Sequence, residues 1–358
     1  MRLLYGIALT LLLSLSAERC AAATELMIQS RAKIEIQWAV YPAINHDDFA
    51  LLETMADTYR SQRTTTDAGE RLLRIFYDVF IPFAQAYVQD EGYRKDWDRK
   101  MEKWRTLYPR SPTPIILQAR MLYFAGSAVR GDGFAQNVWQ DDMIEFTDKL
   151  KAARKILEVG KAIADSDPQW YCAMIGIHKG LGSQWPAIQA LVAEAVAKDT
   201  GYFDIFYAPA IYLQPRWYGS PEALDVWADY AAKATAATEG DTLYARIYLI
   251  TAESLGNAMQ LEAKPDLPRL KASMIELTTK YPAPAFYQRA HELACHFGDG
   301  DWVRERMRLW LVNSGSTRSD VTPNGWCAQS IAEKEHKQPF VFPSQRPEPP
   351  VTQKANVR

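Results

Sequence analysis

Met143, Phe146, Leu150, Ala153, Leu157, Gly160 and Ala164 are separated by alternating steps of three and four. At 3.6 residues per turn these positions share one side of a helix of about 22 residues and leave the other side to charged residues. The same spacing returns in Phe49, Leu52, Ala56 and Tyr59, and in Leu72, Phe76, Val79, Phe83 and Tyr87. Ile188, Leu191, Val192 and Ala195 repeat it, as do Trp302, Leu309 and Trp310. A chain patterned in this way folds as helices packed on helices. Only Ile34, Ile36, Trp38 and Val40 alternate at period two, and a lone strand has no partner for its ladder, so this segment reads as helical or extended.

Proline marks the helix boundaries. Tyr108-Pro109-Arg110-Ser111-Pro112 precedes the apolar run from Ile115 to Phe124, Asp165-Ser166-Asp167-Pro168 precedes Trp170 to Ile177, and Tyr281-Pro282-Ala283-Pro284 precedes Phe286 to Phe297. Proline ends the incoming helix and pre-sets φ for the outgoing one, where its missing N–H costs little. Asp67-x-x-Glu70 has capping-box spacing ahead of Leu72, and Pro82 predicts a kink in the helix that follows. Helix, short turn and helix, repeated at irregular intervals, predict an all-α fold of stacked helical hairpins. That is a tetratricopeptide-like α-solenoid, with a compact helical bundle as the alternative.

The ends of the chain read differently. Arg2, an apolar run from Leu3 to Leu15, and then Ala21, Ala22 and Ala23 match a secretory signal peptide over residues 1–23, cleaved before Thr24. The run stops at Glu18 and Arg19, short of the ~20 residues a spanning helix needs. The same two charges occupy positions where a lipid-attachment site at Cys20 needs small residues. No later segment approaches spanning length, so the mature chain is expected to be exported, not membrane-spanning, and soluble in the periplasm or outside the cell. Residues 24–335 then form the helical-hairpin array. From 336 to 358, Pro339, Pro343, Pro347, Pro349 and Pro350 accumulate without apolar periodicity, which predicts a disordered or extended tail.

Charge excludes one class of partner. The formal net charge is −2, becoming −3 once Arg2, Glu18 and Arg19 leave with the leader, so no basic footprint for nucleic acid exists. With 48% hydrophobic residues the chain can bury a substantial core. The mature chain keeps Cys172, Cys295 and Cys327 in an oxidising compartment, where an odd number permits one bridge. Cys295 with Cys327 is the expected pair, because both belong to the last part of the array and the segment between them can fold back. Cys172 is expected to be reduced and buried. No Cys-x-x-Cys or zinc-ligand spacing occurs, and neither a metal nor a cofactor is called for.

Candidate sites are few. In Pro215-Arg216-Trp217-Tyr218-Gly219-Ser220-Pro221-Glu222, Ser220 is placed as an N-cap, Pro221 as the first helical residue and Glu222 in the first turn. As a structural corner, Trp217 would plug an apolar gap and Arg216 would cap carbonyls or pair with an acid. As a ligand clamp, the guanidinium of Arg216 and the indole of Trp217 would hold an anion or a sugar face. His291 and Cys295 stand at i and i+4, so a continuous helix places them within reach of one another as a metal pair or as nucleophile and base. Against this, Leu293, Ala294 and Phe297 share the helix and make Cys295 a core residue. His46-Asp47-Asp48 reads as an acidic helix start, His178 and His336 have no constellation around them, and Arg130-Gly131-Asp132 is an adhesion tripeptide that any long chain can contain by chance. Eleven tryptophans, from Trp38 to Trp326, would suit either packing between hairpins or an aromatic groove.

Several runs carry a resemblance. Phe49-Ala-Leu-Leu-Glu with Tyr59-Arg60, the run from Gly69 to Tyr77, Arg130-Gly131-Asp132-Gly133, the run from Tyr212 to Ser220 and that from Tyr244 to Tyr248 occur in this order. Together they resemble a bacterial family described only as a domain of unknown function, with the P-R-W-x-G-S run as its most specific motif. The resemblance spans roughly residues 49 to 311. It implies a helical, tetratricopeptide-like fold, accounts for Arg130-Gly131-Asp132-Gly133 as a helix-ending turn, and brings no activity with it. The favoured expectation is therefore an exported, non-catalytic module that binds a protein or peptide. The alternative is an envelope enzyme, hydrolase-like, drawing on Arg216, His291 and Cys295.

Overall fold

The computed structural model describes residues 31–131, 135–256 and 259–313, together with 327, 328, 330 and 331; the expected signal segment and the proline-rich end, with His336, lie outside them. The chain falls into two compact units, one ending at Ala290 and the other beginning at His291. Among the described residues the secondary structure is helical, apart from one isolated bridge between Thr65 and Arg71. No helix among them is long and apolar enough to cross a membrane.

The period-two segment is helical. In α1 (Arg31–Asn45), Ile36, Val40, Ala43 and Ile44 are buried at 3.6-residue spacing, whereas Trp38 is 74% exposed. Helix α2 (Phe49–Gln62) starts at Asp48, whose side chain accepts from the Leu51 N–H. The next pattern breaks where a kink was expected. It forms α3 (Leu72–Asp78) and α4 (Phe83–Gln89) with a turn between them, since Pro82 cannot continue the hydrogen-bond ladder. Nor does Asp67-x-x-Glu70 act as a capping box. Arg71 is the N-cap and makes no side-chain cap, Gly69 turns at φ 78°, and Glu70 accepts from Arg74 at 2.9 Å.

Five further helices follow: α5 (Glu91–Leu107), α6 (Thr113–Arg130), α7 (Gln140–Val159), the short α8 (Lys161–Ala164) and α9 (Pro168–Gly180). The long stripe ends earlier than its spacing predicts, at Gly160. A side chain there would come within 2.7 Å of Ile115 on α6, so the glycine allows α6 and α7 to pack closely. The chain continues through α10 (Trp185–Lys198), α11 (Asp204–Tyr212), α12 (Pro221–Glu239), α13 (Thr242–Leu255), the short α14 (Met259–Glu262), α15 (Leu267–Lys280) and α16 (Pro284–Phe297). The three proline corners each separate two helices. In one of them Asp167 caps α9 from its N-terminus and Pro168 is the first helical residue.

Within the first unit, α6, α9, α11 and α13 pack one on the next, and α7, α10, α12 and α15 pack beside them. Residue choice explains the division. Every residue from Thr242 to Leu249 of α13 is buried, and so are Thr113 to Leu117 of α6, so these helices are enclosed on several sides. Helix α7 buries Phe146, Leu150, Ala153 and Leu157 on one stripe alone.

Enclosed helices that carry charge must pair it. Arg74 meets Asp204 at 2.9 Å, Glu70 at 2.9 Å and Asp78 at 3.5 Å, and Asp78 also receives Arg120 at 2.5 Å. Arg289 pairs with Glu253. Asp167 joins three elements: one oxygen accepts from Tyr77 at 2.7 Å and Arg60 at 2.9 Å, while the other caps the Gln169 N–H at 2.9 Å. In the second unit, Cys295 of α16 is disulfide-bonded to Cys327, with Cα atoms 5.0 Å apart. Helix α17 (Gly300–Asn313) belongs to the same unit, and Ser330 donates to the Cys295 carbonyl at 2.7 Å. Cys172 is a free, buried thiol in the first unit.

Candidate functional site

The C-terminal ends of α6, α9, α11 and α13 meet at the corner that leads into α12, around a cleft of about 770 Å³. Ser220 shapes this corner by accepting from the Ala223 N–H at 3.1 Å, with Pro221 opening α12. Gly219 is required there, because a Cβ would lie 2.0 Å from the Leu213 carbonyl oxygen. The tight turn throws Trp217 and Tyr218 outward into the cleft. Tyr218 is 49% exposed and Trp217 is half-buried, so the indole does not plug a core gap.

Cations gather on this indole. The Lys179 Nζ, in the last turn of α9, lies 3.8 Å from the ring centroid, and the Arg130 guanidinium, at the end of α6, lies 5.7 Å from it. An aromatic face attracts a cation at these distances, the more so when water is excluded. Arg130 also lies 5.8 Å from the Phe146 ring. Tyr123, Ser127, Ile211 and Ser254 complete much of the wall, and no acidic residue lines it among the described residues.

Arg216 takes the structural role. It donates to the Ser254 carbonyl at 2.6 Å and to the Leu255 carbonyl at 3.3 Å, and its Nε lies 3.7 Å from Glu262. Its donors thus cap the C-terminus of α13. The structural reading of Arg216 thus holds, the clamp alternative loses its cation, and the cations that do meet the indole are Lys179 and Arg130. Burial, followed by the nearby Arg130 charge, lowers the Lys179 ammonium to about 8. No local motif announces Lys179: a lysine in a last helical turn is commonplace, and only the fold brings it onto an indole 38 positions away.

The second unit holds the other candidates. His291 and Cys295 do meet, with Nε2 3.8 Å from Sγ, and Cys327 joins them so that all three ligand atoms lie within 4.8 Å. The two sulfurs are bonded to each other, which leaves Cys295 no thiolate for attack and neither sulfur a free lone pair of thiolate character for a metal. His291 is stacked on Trp310 at 5.9 Å, and burial lowers its pKa against the opposing effect of a hydrogen bond with the Val303 backbone. That is a packed imidazole rather than a general base. Arg216 belongs to the first unit and His291 and Cys295 to the second.

The remaining candidates are structural. Asp47, at φ 58°, accepts from Lys100 at 2.7 Å, Lys103 at 2.9 Å and Arg99 at 3.2 Å, and these hydrogen bonds hold its carboxyl below the usual range against its own burial. Gly131, at φ 69°, ends α6 after Arg130, while Asp132 lies outside the described residues. His178 is bonded to Ser183 at 2.8 Å. Compared with protein-family models, curated proteins and solved structures, the chain matches none.

Proposed function

We propose that this protein is an exported, non-catalytic module of stacked helical hairpins that binds a peptide segment of a partner in the cleft around Trp217. The observation that carries the reading is the cleft itself: about 770 Å³, walled by aromatic side chains, with two cations drawn onto one half-buried indole. That size and mixture suit a short extended segment or a chain end better than a flat protein surface. Catalysis finds less support, since Cys295 is disulfide-bonded and offers His291 no thiol to activate. Export rests on the signal-peptide pattern before Thr24.

The test is selection of a random peptide library on the purified chain beginning at Thr24, followed by calorimetry with Trp217→Ala and Lys179→Ala. Selected peptides should lose at least about ten-fold in affinity with either folded variant, as hot-spot residues do. Peptides that bind both variants like the parent protein would place recognition elsewhere. Turnover in a substrate screen, lost on changing Lys179 while the fold persists, would replace the module with an enzyme.

A further inference from the structure

Building on the reading of the cleft as a peptide site, we propose that the bound segment enters by its C-terminal carboxylate, seated between Lys179 and Arg130, with an apolar last side chain against Phe146 and Ile211.

The charge distribution asks for an anion. Two like charges converge on Trp217, and the cleft wall contributes no carboxylate among the described residues. Helix ends offer a competing explanation, because four C-termini with partial negative charge meet here and favour cations. That accounts for Arg216, which serves the Ser254 and Leu255 carbonyls, and in part for Arg130, whose Nη1 donates to the Gly131 carbonyl at 2.9 Å. It does not account for Lys179, whose ammonium makes no hydrogen bond or ion pair with any described residue. Burial, then the nearby Arg130 charge, lowers the affinity of this amine for its proton, in keeping with an ammonium that has no acidic neighbour among the described residues lining the cleft. Trp217 holds the ammonium in place by its ring face, which leaves N–H donors for an acceptor from outside the chain.

The form of the anion follows from its surroundings. Arg130 retains donors beyond Nη1, and a planar carboxylate matches a guanidinium edge. Phe146 lies 5.8 Å from the same guanidinium, so an apolar group must sit close to the anionic one. The terminal residue of a peptide carries its carboxylate and its side chain on one carbon atom, and can fill both places at once. Inorganic phosphate satisfies the charge and leaves the aromatic wall bare.

The experiment follows lysine ammonium resonances of the full chain, labelled with nitrogen-15, with Lys179 assigned by its loss in Lys179→Gln. Three probes are titrated: an N-acetylated tripeptide ending in phenylalanine as the free acid, the same tripeptide as its C-terminal amide, and inorganic phosphate. The acid should shift Lys179 to saturation and bind at least about ten-fold tighter than the amide, the usual margin for losing a charge-assisted contact. Lys179→Gln and Arg130→Gln should each remove that margin, and Lys179→Arg should restore part of it. Acid and amide bound equally, both weakened by Trp217→Ala, would overturn the carboxylate while leaving the peptide reading standing. Phosphate shifting Lys179 where the acid does not would make this a phosphate site and overturn the proposal. Silence of Lys179 toward all three probes would overturn both readings.

Discussion

The Lys179 ammonium lies 3.8 Å from the centroid of the Trp217 indole, joining the end of α9 to the corner before α12. The pair is half-buried, so each partner has a modest and opposite effect on stability. Trp217→Ala should cost about 1–2 kcal/mol from partial burial and the lost cation contact, less than the roughly 3–5 kcal/mol of a core tryptophan. Lys179→Met should leave stability at pH 7 unchanged or raised. The folded-state value of about 8 lies below the ordinary lysine value of 10.5, so the unfolded chain binds the extra proton between them and the charge disfavours the fold at neutral pH. Urea unfolding of both variants checks this, and a loss above about 3 kcal/mol for Trp217→Ala would return the indole to a core role.

Buried carboxylates should tilt stability with pH. Burial raises Glu253 to about 8 against the opposing charge of Arg289 and, further off, Arg74, with Glu70 adding to the rise. Asp204 rises to about 7 in the same way, despite Arg74. The folded chain therefore keeps protons that the unfolded chain releases as pH climbs from 4.5 for Glu253, and unfolding free energy falls through the window up to 8. Asp47 acts oppositely, but its contribution is lost only as pH falls below the ordinary carboxylate range. Glu253→Gln keeps a neutral group in place, so its stability should decline less between pH 5 and 8 than the parent's. Parallel curves for the two proteins would refute the assignment.

Asp167 is fully buried and serves Arg60, Tyr77 and the first turn of α9 together. Asp167→Asn keeps an acceptor but removes the buried charge facing Arg60, which retains Asp57 and Thr113, and should cost roughly 1.5–3 kcal/mol. Tyr77→Phe removes one hydrogen bond and should cost nearer 1–2 kcal/mol. Equilibrium denaturation of the two variants separates the charge from the hydroxyl; equal losses would mean that the network does not depend on charge.

The Cys295–Cys327 bridge closes a loop with a sequence separation of 32. Chain entropy assigns such a loop roughly 3–4 kcal/mol. Cys327→Ser should lower the melting transition of the second unit, and alkylation in denaturant without reductant should modify Cys172 in the parent protein. Burial pushes the Cys172 thiol well up, so alkylation without denaturant should leave it unmodified. In the chain beginning at Thr24, which lacks Cys20, a second reactive thiol without reductant would rule the bridge out.

Periodicity and punctuation made the helical class legible, because both act through local rules. A stripe at 3.6 spacing has to face a core, and a proline lacking its N–H has to sit at a helix start or break. Local rules also gave the Ser220 cap and an acidic helix start ahead of Phe49, where Asp48 caps. They failed where a neighbour distant in sequence decided the outcome. Ile115 leaves no room for a side chain at Gly160, and Arg74 engages Glu70, which does not form a capping box.

The candidate site divides along the same line. Sequence alone determined that a corner would form at Arg216-Trp217-Tyr218-Gly219-Ser220, since cap, proline and glycine act within one turn. Only the tertiary structure decided what the corner does. Stacking brought the ends of α6, α9 and α13 together, engaged Arg216 with the carbonyls of α13, and set Lys179 and Arg130 on the indole instead. Electrostatic pairing in a folded chain depends on distance in space, and residues 38 or 87 positions apart carry no spacing from which that distance can be read.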